Sequence, residues 1–527
     1  MGRYLASFVK AAVVTDDVQL VVASPSWLRQ PILDLFDEHD ISTERVLFIG
    51  PAEEPLLLRL VRWQERRHKK SLRLEWLIKW RSQLQTRFRP FVRQLGGRLA
   101  TIRSLSLILA LAPVLALVGI AATPLLVILG LVSLILLLFR RILGRLARFG
   151  RRLSRSAIRK GVTLARSVVN VQASLLRYFY NVMLDRELEL VVEQANKAEN
   201  VRAWYTTSAI WPSFNKLHRP KLTCFPDLVF MGFPVGFSDP SMGALYFNEK
   251  VLETIAGGEH FVTYSQHTKD QVLVEQLSVP EHKVHVVPHA PQDLSHRVTV
   301  THTMDNDAVS LAFCRSQALQ ALSHASGPTR GQRFPAFEFP FLFYASQIRP
   351  SKNVITLLRA YEHLLRRRLI GHKLILTGNG NYLPIRQFVE EKRLERDVLF
   401  LSDLSETQLA ALYKLADLAV NPTLSEGGMP FTFAEALSVG TPVVMGDIEV
   451  TREILVDEGV RAMTLFDPYD WRSMAEKIEW ALANRTELYN AQRKFYDDVL
   501  VKRGWSDVVA EHFAVMDRIA QIASDAR

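Results

Sequence analysis

The sequence predicts an α/β protein of two doubly wound parallel-sheet domains, with an α-helical membrane hairpin inserted into the first. Three observations carry that expectation. Short apolar strands alternate with amphipathic helical stretches in two successive series, a polar linker lies between the series, and Ser104 to Phe139 form 36 consecutive uncharged residues. Strands alternating with helices imply parallel sheets covered on both faces, and two such series leave a cleft between two domains.

In chain order, Val18-Gln-Leu-Val-Val-Ala23 reads as a strand, Leu28 to His39 as a helix and Arg45-Val-Leu-Phe-Ile49 as the next strand. Residues 1–55 are therefore the first part of one domain and 56–185 a basic helical insert. The domain resumes over 186–317, with strands at Arg202-Ala-Trp-Tyr205, Lys221-Leu-Thr-Cys224, His260-Phe-Val-Thr-Tyr264 and Lys283-Val-His-Val-Val287. A Ser/Gly/Pro/Arg-rich stretch around His324 to Phe334 marks a linker, set at 318–338. The second domain, 339–485, holds strands at Phe341-Leu-Phe-Tyr-Ala345, Lys373-Leu-Ile-Leu-Thr377, Val398-Leu-Phe-Leu401, Leu418-Ala-Val-Asn421 and Pro442-Val-Val-Met445. Residues 486–527 are expected to be C-terminal helices.

The uncharged run is long enough for a membrane. A span needs roughly 20 apolar residues, whereas a straight helix of this run would be about 54 Å long against a hydrocarbon core of about 30 Å. Gly119-Ile-Ala-Ala-Thr-Pro124 offers a fold-back point, with Pro113 before it. A hairpin at 104–139 is expected, either re-entrant or a pair of short spans. Its flanks are basic: 14 Lys/Arg and two acids from Arg59 to Arg103, and 11 Lys/Arg and no acid from Arg140 to Arg177. Cationic flanks stay on the cytoplasmic side, which places both ends at the cytoplasmic face of the cell (inner) membrane.

Residues 59–177 carry net +23, while the remaining 40 basic and 52 acidic residues give −12, so the chain's overall +11 belongs to the insert alone. Such a patch attracts anionic membrane lipid. Nucleic acid is set aside as a partner because no nucleic-acid module accompanies the charge. Two cysteines, Cys224 and Cys314, with no spacing pattern, argue against a zinc site and a disulfide framework.

The chemistry-bearing motifs fall after strands and at helix starts, where such sheets place ligands. In Thr423-Leu-Ser-Glu-Gly-Gly-Met-Pro-Phe-Thr-Phe-Ala-Glu435 a strand runs into a glycine loop, and a helix begins near Pro430. Gly427 and Gly428 let backbone amides approach an anion, while Glu426 and Glu435 can offer carboxylates to sugar hydroxyls. Ser346-Gln-Ile-Arg-Pro-Ser-Lys-Asn353 places Arg349 and Lys352 at a second loop, where cations can neutralise a diphosphate leaving group.

The order of R-P-S-K-N, L-T-G-N-G at Leu376 to Gly380, S-E-G-G-M-P and E-A-L-S-V-G-T-P-V-V at Glu435 to Val444 resembles the donor-binding domain of retaining glycosyltransferases of family 4, with the GT-B fold of two Rossmann-like domains. The resemblance covers roughly residues 339–485. It extends more weakly over 186–300, through Val262-Thr-Tyr-Ser265 and Val286-Val-Pro-His289, to the family's acceptor domain. It implies transfer from a nucleoside-diphosphate sugar as co-substrate, with retention and without a metal or other cofactor. Glu426 and Asp227 would be catalytic, and Arg349 and Lys352 would hold the diphosphate. Gly378, Gly427, Gly428, Met429 and Pro430 would line the donor site, with Glu435 on the ribose.

Departures from the family pattern are visible. Eight residues separate Glu426 from Glu435 where seven are usual, the usual Gly-Arg is Ser346-Gln347, and the common His-Asp is Pro226-Asp227. Met1-Gly-Arg-Tyr-Leu5 resembles the helix that follows the family's first strand, so that strand is expected to be missing. An acceptor domain carrying a membrane hairpin suggests a lipid-linked or glycan acceptor in cell-envelope glycan assembly. The alternative is a catalytically inactive membrane scaffold of the same fold.

Overall fold

The computed structural model describes residues 2–15, 18–67, 178–227, 229, 244–325, 337–378 and 380–525. The hairpin expected at 104–139 lies outside these residues. Among the described residues no helix is long and apolar enough to cross a membrane. The chain divides into two compact units, residues 17–199 and residues 1–16 with 200–527.

In the first unit, β1 (Leu20–Ala23) pairs in parallel with β2 (Val46–Ile49) through the helix Ser26–Glu38. At the end of β1, the buried Glu187 carboxylate accepts from the Ser26 hydroxyl at 2.8 Å and its backbone N–H at 3.3 Å. Gly50 after β2 has φ +123°, and a Cβ there would stand 2.1 Å from Ser24 O, so only glycine fits. Leu58 of the helix Leu56–Arg67 and Met183 of the helix over 178–195 form one small core. The chain thus leaves toward residue 68 and returns from residue 177 on helices packed together.

This corrects the expected grouping of 18–49 with 202–287. β1 and β2 pair with each other, while β3 (Trp204–Thr206), β4 (Lys221–Cys224), β5 (His260–Thr263) and β6 (Val284–Val286) make a separate four-stranded parallel sheet. Apolar runs locate strands, whereas pairing is decided by edge hydrogen bonds between distant segments. The four-stranded sheet runs in simple sequential order, without the reversal that a doubly wound sheet requires, among the described residues.

The third sheet has that reversal. Its strands are β7 (Phe341–Tyr344), β8 (Lys373–Thr377), β9 (Val398–Leu401), β10 (Leu418–Asn421), β11 (Val443–Gly446) and β12 (Leu465–Phe466), in the order β12-β11-β10-β7-β8-β9. All its pairings are parallel. Strand order turns back between β7 and β10, and all four residues of each are buried, as expected for strands covered on both faces.

Two domain boundaries move. The sequence places residues up to 317 in the first domain and 318–338 in the linker, yet Cys314, Ala318 and Ala321 of the helix Asn306–Ala321 lie in one core with Phe341, Phe343, Ala410 and Ala411. Small side chains let this helix lie close against Glu406–Leu415. Phe495 and Tyr496 belong to the same core, so the domain continues past 485. Cys224 and Cys314 are both buried and free.

Candidate functional site

The loops leaving β7 and β10 meet, because these strands are neighbours paired Leu342 to Leu418 and Phe343 to Ala419. The Leu424 N–H donates to Ser351 O at 2.8 Å, tying one loop to the other. Across this junction Lys352 Nζ donates to Glu426 Oε1, and both side chains are partly buried. Arg349 is exposed and donates to Gln347 Oε1. Asn353 follows with a left-handed φ of +55°, pinned by a 2.6 Å bond from its amide to Pro468 O.

Gly378 ends β8 with φ +112°, a conformation costly for any residue with a Cβ. Its N–H donates to Leu401 O at 2.7 Å. Gln347, Ile348, Gly378, Asn381 and Tyr382 line an open cavity of about 440 Å³.

Loops of the four-stranded sheet close the other side. Gly427 O accepts from Ser265 Oγ at 2.9 Å and lies 3.3 Å from Thr268 Oγ1. A Cβ on Gly427 would stand 1.4 Å from Pro226 O, and one on Gly428 2.7 Å from Tyr264 Cβ. The missing side chains of both glycines thus make room for neighbouring protein. Met429 is partly buried, and Pro430 is buried at the start of the helix Phe431–Ser438. Phe431 packs on His289, ring centroids 4.2 Å apart. Burial pushes the His289 imidazole below its ordinary range.

Asp227 follows β4 beside Gly427, and its carboxyl feels both Lys352 and Glu426. The residue is exposed to solvent. Its carboxyl is pushed above the usual range by desolvation, with Lys352 pulling it back and Glu426 adding to the rise. The accessible surface limits this effect.

Glu435 has different partners. Its carboxylate accepts from Arg3 Nη1 and, at 3.2 Å, from the Tyr413 hydroxyl, and it is buried. Burial pushes Glu435 up, with Arg3 opposing. Arg3 and Tyr413 were not among the candidates. Arg3 lies 432 residues from Glu435, so no local spacing signals the pair.

Residues 330–496 match the family described as Glycosyl transferases group 1. The O-antigen chain mannosyltransferase B of Escherichia coli is 32% identical over 141 residues, 26% of this chain and 35% of that protein. The phosphatidyl-myo-inositol mannosyltransferase of Mycobacterium tuberculosis is 25% identical over 292 residues, 53% of this chain and 71% of that protein. The sucrose-phosphate synthase of Thermosynechococcus elongatus superposes with a TM-score of 0.47 at 14% identity, over 64% of this chain and 78% of that one. The chain spans about a third of the length of the first curated relatives it matches. The segment that carries Arg349, Lys352, Gly378, Glu426 and Glu435 is thus the one matching the glycosyl transferases group 1 family.

Proposed function

We propose that this protein is a membrane-associated retaining glycosyltransferase of family 4 type, moving a sugar from a nucleoside-diphosphate sugar to a lipid-linked or glycan acceptor in cell-envelope glycan assembly. The observation that carries the reading is the Lys352–Glu426 pair at the strand-order reversal between β7 and β10. Open α/β sheets bind ligands at that point, outside the carboxyl ends of the strands. Lys352 and Arg349 would face the diphosphate, Glu426 the transferred sugar, Glu435 the ribose, and the cavity at Ile348, Gly378 and Tyr382 the base.

The bond between the anomeric carbon and the diphosphate oxygen breaks as the acceptor oxygen adds on the same face. The acceptor proton leaves to the departing phosphate oxygen. Arg349 and Lys352 neutralise the charge that develops on that group, so the reading requires no metal or cofactor. Asp227, whose carboxyl feels both Lys352 and Glu426, would orient the acceptor hydroxyl. The relatives named for O-antigen and phosphatidyl-myo-inositol support a glycan or glycolipid acceptor.

Anchoring at the cytoplasmic face rests on the uncharged run 104–139 and its basic flanks, which would also meet anionic lipid. The Leu58–Met183 core supports a hairpin, since the chain leaves and returns on helices packed together. Placing charge at mid-membrane costs roughly 2.5–3.5 kcal/mol per residue on insertion scales. A Leu109→Arg, Leu131→Arg protein is therefore expected to shift from the membrane to the soluble fraction on carbonate-washed membranes. Unchanged partitioning would remove the hairpin.

The reading is tested by incubating purified protein with UDP-, GDP-, ADP- and dTDP-sugars and extracted lipids, following nucleoside-diphosphate release and lipid products by mass spectrometry. No release and no product with any donor would favour the inactive scaffold. Replacing both Arg349 and Lys352 by alanine is expected to weaken nucleoside-diphosphate binding about 10²- to 10⁴-fold and free-nucleoside binding less than about threefold, because charge-assisted contacts contribute about 1.5–3 kcal/mol each. Equal losses for both ligands, measured by calorimetry, would make these side chains structural.

A further inference from the structure

The Arg3–Glu435 pair is lopsided in exposure: the Arg3 side chain is 36% accessible and that of Glu435 is 1% accessible. Each carboxylate oxygen already has a donor, Arg3 on Oε1 and Tyr413 on Oε2. Tyr413 is itself fully buried, so Arg3 is the partner with access to solvent. Glu406, the other acid acting on Arg3, is engaged by Arg297 at 2.8 Å. A donor hydroxyl therefore reaches Glu435 by taking the place of the Arg3 guanidinium.

We propose that the Arg3–Glu435 ion pair is a contact displaced by the donor: Arg3 covers the carboxylate, and nucleotide binding exchanges its guanidinium for ribose hydroxyls. This rests on the reading of Glu435 as the ribose contact. Arg3 is the member that leaves, because a half-exposed guanidinium returns to water at little cost. A buried carboxylate needs replacement donors at once. A ribose supplies two O–H groups on adjacent carbons, enough to satisfy the oxygen that Arg3 vacates. The helix Gly2–Val14 stays packed through Tyr4, Phe8, Val9 and Ala12, so the exchange moves the Arg3 side chain and leaves the helix in place. Arg3 is thus a regulator of donor affinity acting through Glu435, with no contact to the reacting atoms.

The test is titration calorimetry of wild type, Arg3→Ala, Arg3→Lys and Glu435→Gln with UDP, GDP and their 2′-deoxy forms at pH 8 and pH 6. Arg3→Ala is expected to tighten ribonucleotide binding at pH 8 by about two- to fivefold, the worth of a partly exposed ion pair. Arg3→Lys, which keeps the charge and stem, should fall between it and wild type. Burial raises the Glu435 pKa and Arg3 lowers it, so removing Arg3 lets the carboxyl protonate at higher pH than in wild type, and the gain should be smaller at pH 6 than at pH 8. Tyr413 and Glu406 are the other titratable groups acting on it. The gain should shrink with the 2′-deoxy nucleotides. Wild-type binding by Glu435→Gln would overturn the ribose reading itself. A tenfold loss in Glu435→Gln alongside unchanged or weaker binding in Arg3→Ala would keep the ribose reading and overturn the displacement.

Discussion

Glu426→Gln is expected to lower kcat by about 10²- to 10³-fold while changing the donor KM less than about threefold. The amide preserves the shape of the side chain and its place opposite Lys352, but it removes the negative charge. Glycosyl transfer passes through an oxocarbenium-like state in which the anomeric carbon becomes positive. A carboxylate there stabilises the transition state more than the bound donor, so its loss falls on kcat. Lys352, released from an ionised partner, remains available to the diphosphate, which keeps donor affinity. Both members of the pair are partly exposed, so the change should cost only about 1 kcal/mol in stability. Initial rates of nucleoside-diphosphate release, with the thermal unfolding midpoint as a folding control, decide the matter. An unchanged kcat in a folded variant would take Glu426 out of the reaction.

The parts of the fold that were legible are those written in local pattern. Lys373–Thr377, Val398–Leu401 and Leu418–Asn421 are strands over the same residues that their apolar runs mark. β12 escaped because Leu465–Phe466 is two residues long, too short to show alternation. Partnership was not legible. Nothing in Val18 to Ile49 says that its strands pair with each other and leave the other sheet, and nothing in Cys314, Ala318 and Ala321 says which sheet they cover. The same holds for the site. Arg349 and Lys352 stand out as cations after a strand, and Glu426 as an acid in a glycine loop. Their meeting depends on β7 lying beside β10, a property of sheet order. Arg3 carried no signal at all, since its meaning arises when helix Gly2–Val14 comes against Glu435.

The glycine loop gives the second large effect. Gly427→Ala is expected to abolish measurable transfer and to lower the unfolding temperature, while Gly371→Ala leaves both unchanged. A Cβ at 427 would lie 1.4 Å from Pro226 O and 2.6 Å from Pro226 C. These are backbone atoms, so no rotamer change relieves the clash, and the loops carrying Asp227 and Glu426 must separate. Overpacking of this kind costs typically about 1–3 kcal/mol in stability. The larger consequence is geometric: displacing the glycine loop breaks the Ser265 Oγ to Gly427 O bond and moves Glu426 relative to Lys352, and misplacement by about 1 Å can cost about 10²-fold in rate. At Gly371 an added Cβ meets nothing within 4 Å and the backbone needs no left-handed φ, which makes it the matched control. Full transfer by a folded Gly427→Ala protein would show that the close approach of residues 226 and 427 is dispensable, and with it the joining of Asp227 to the Glu426 site.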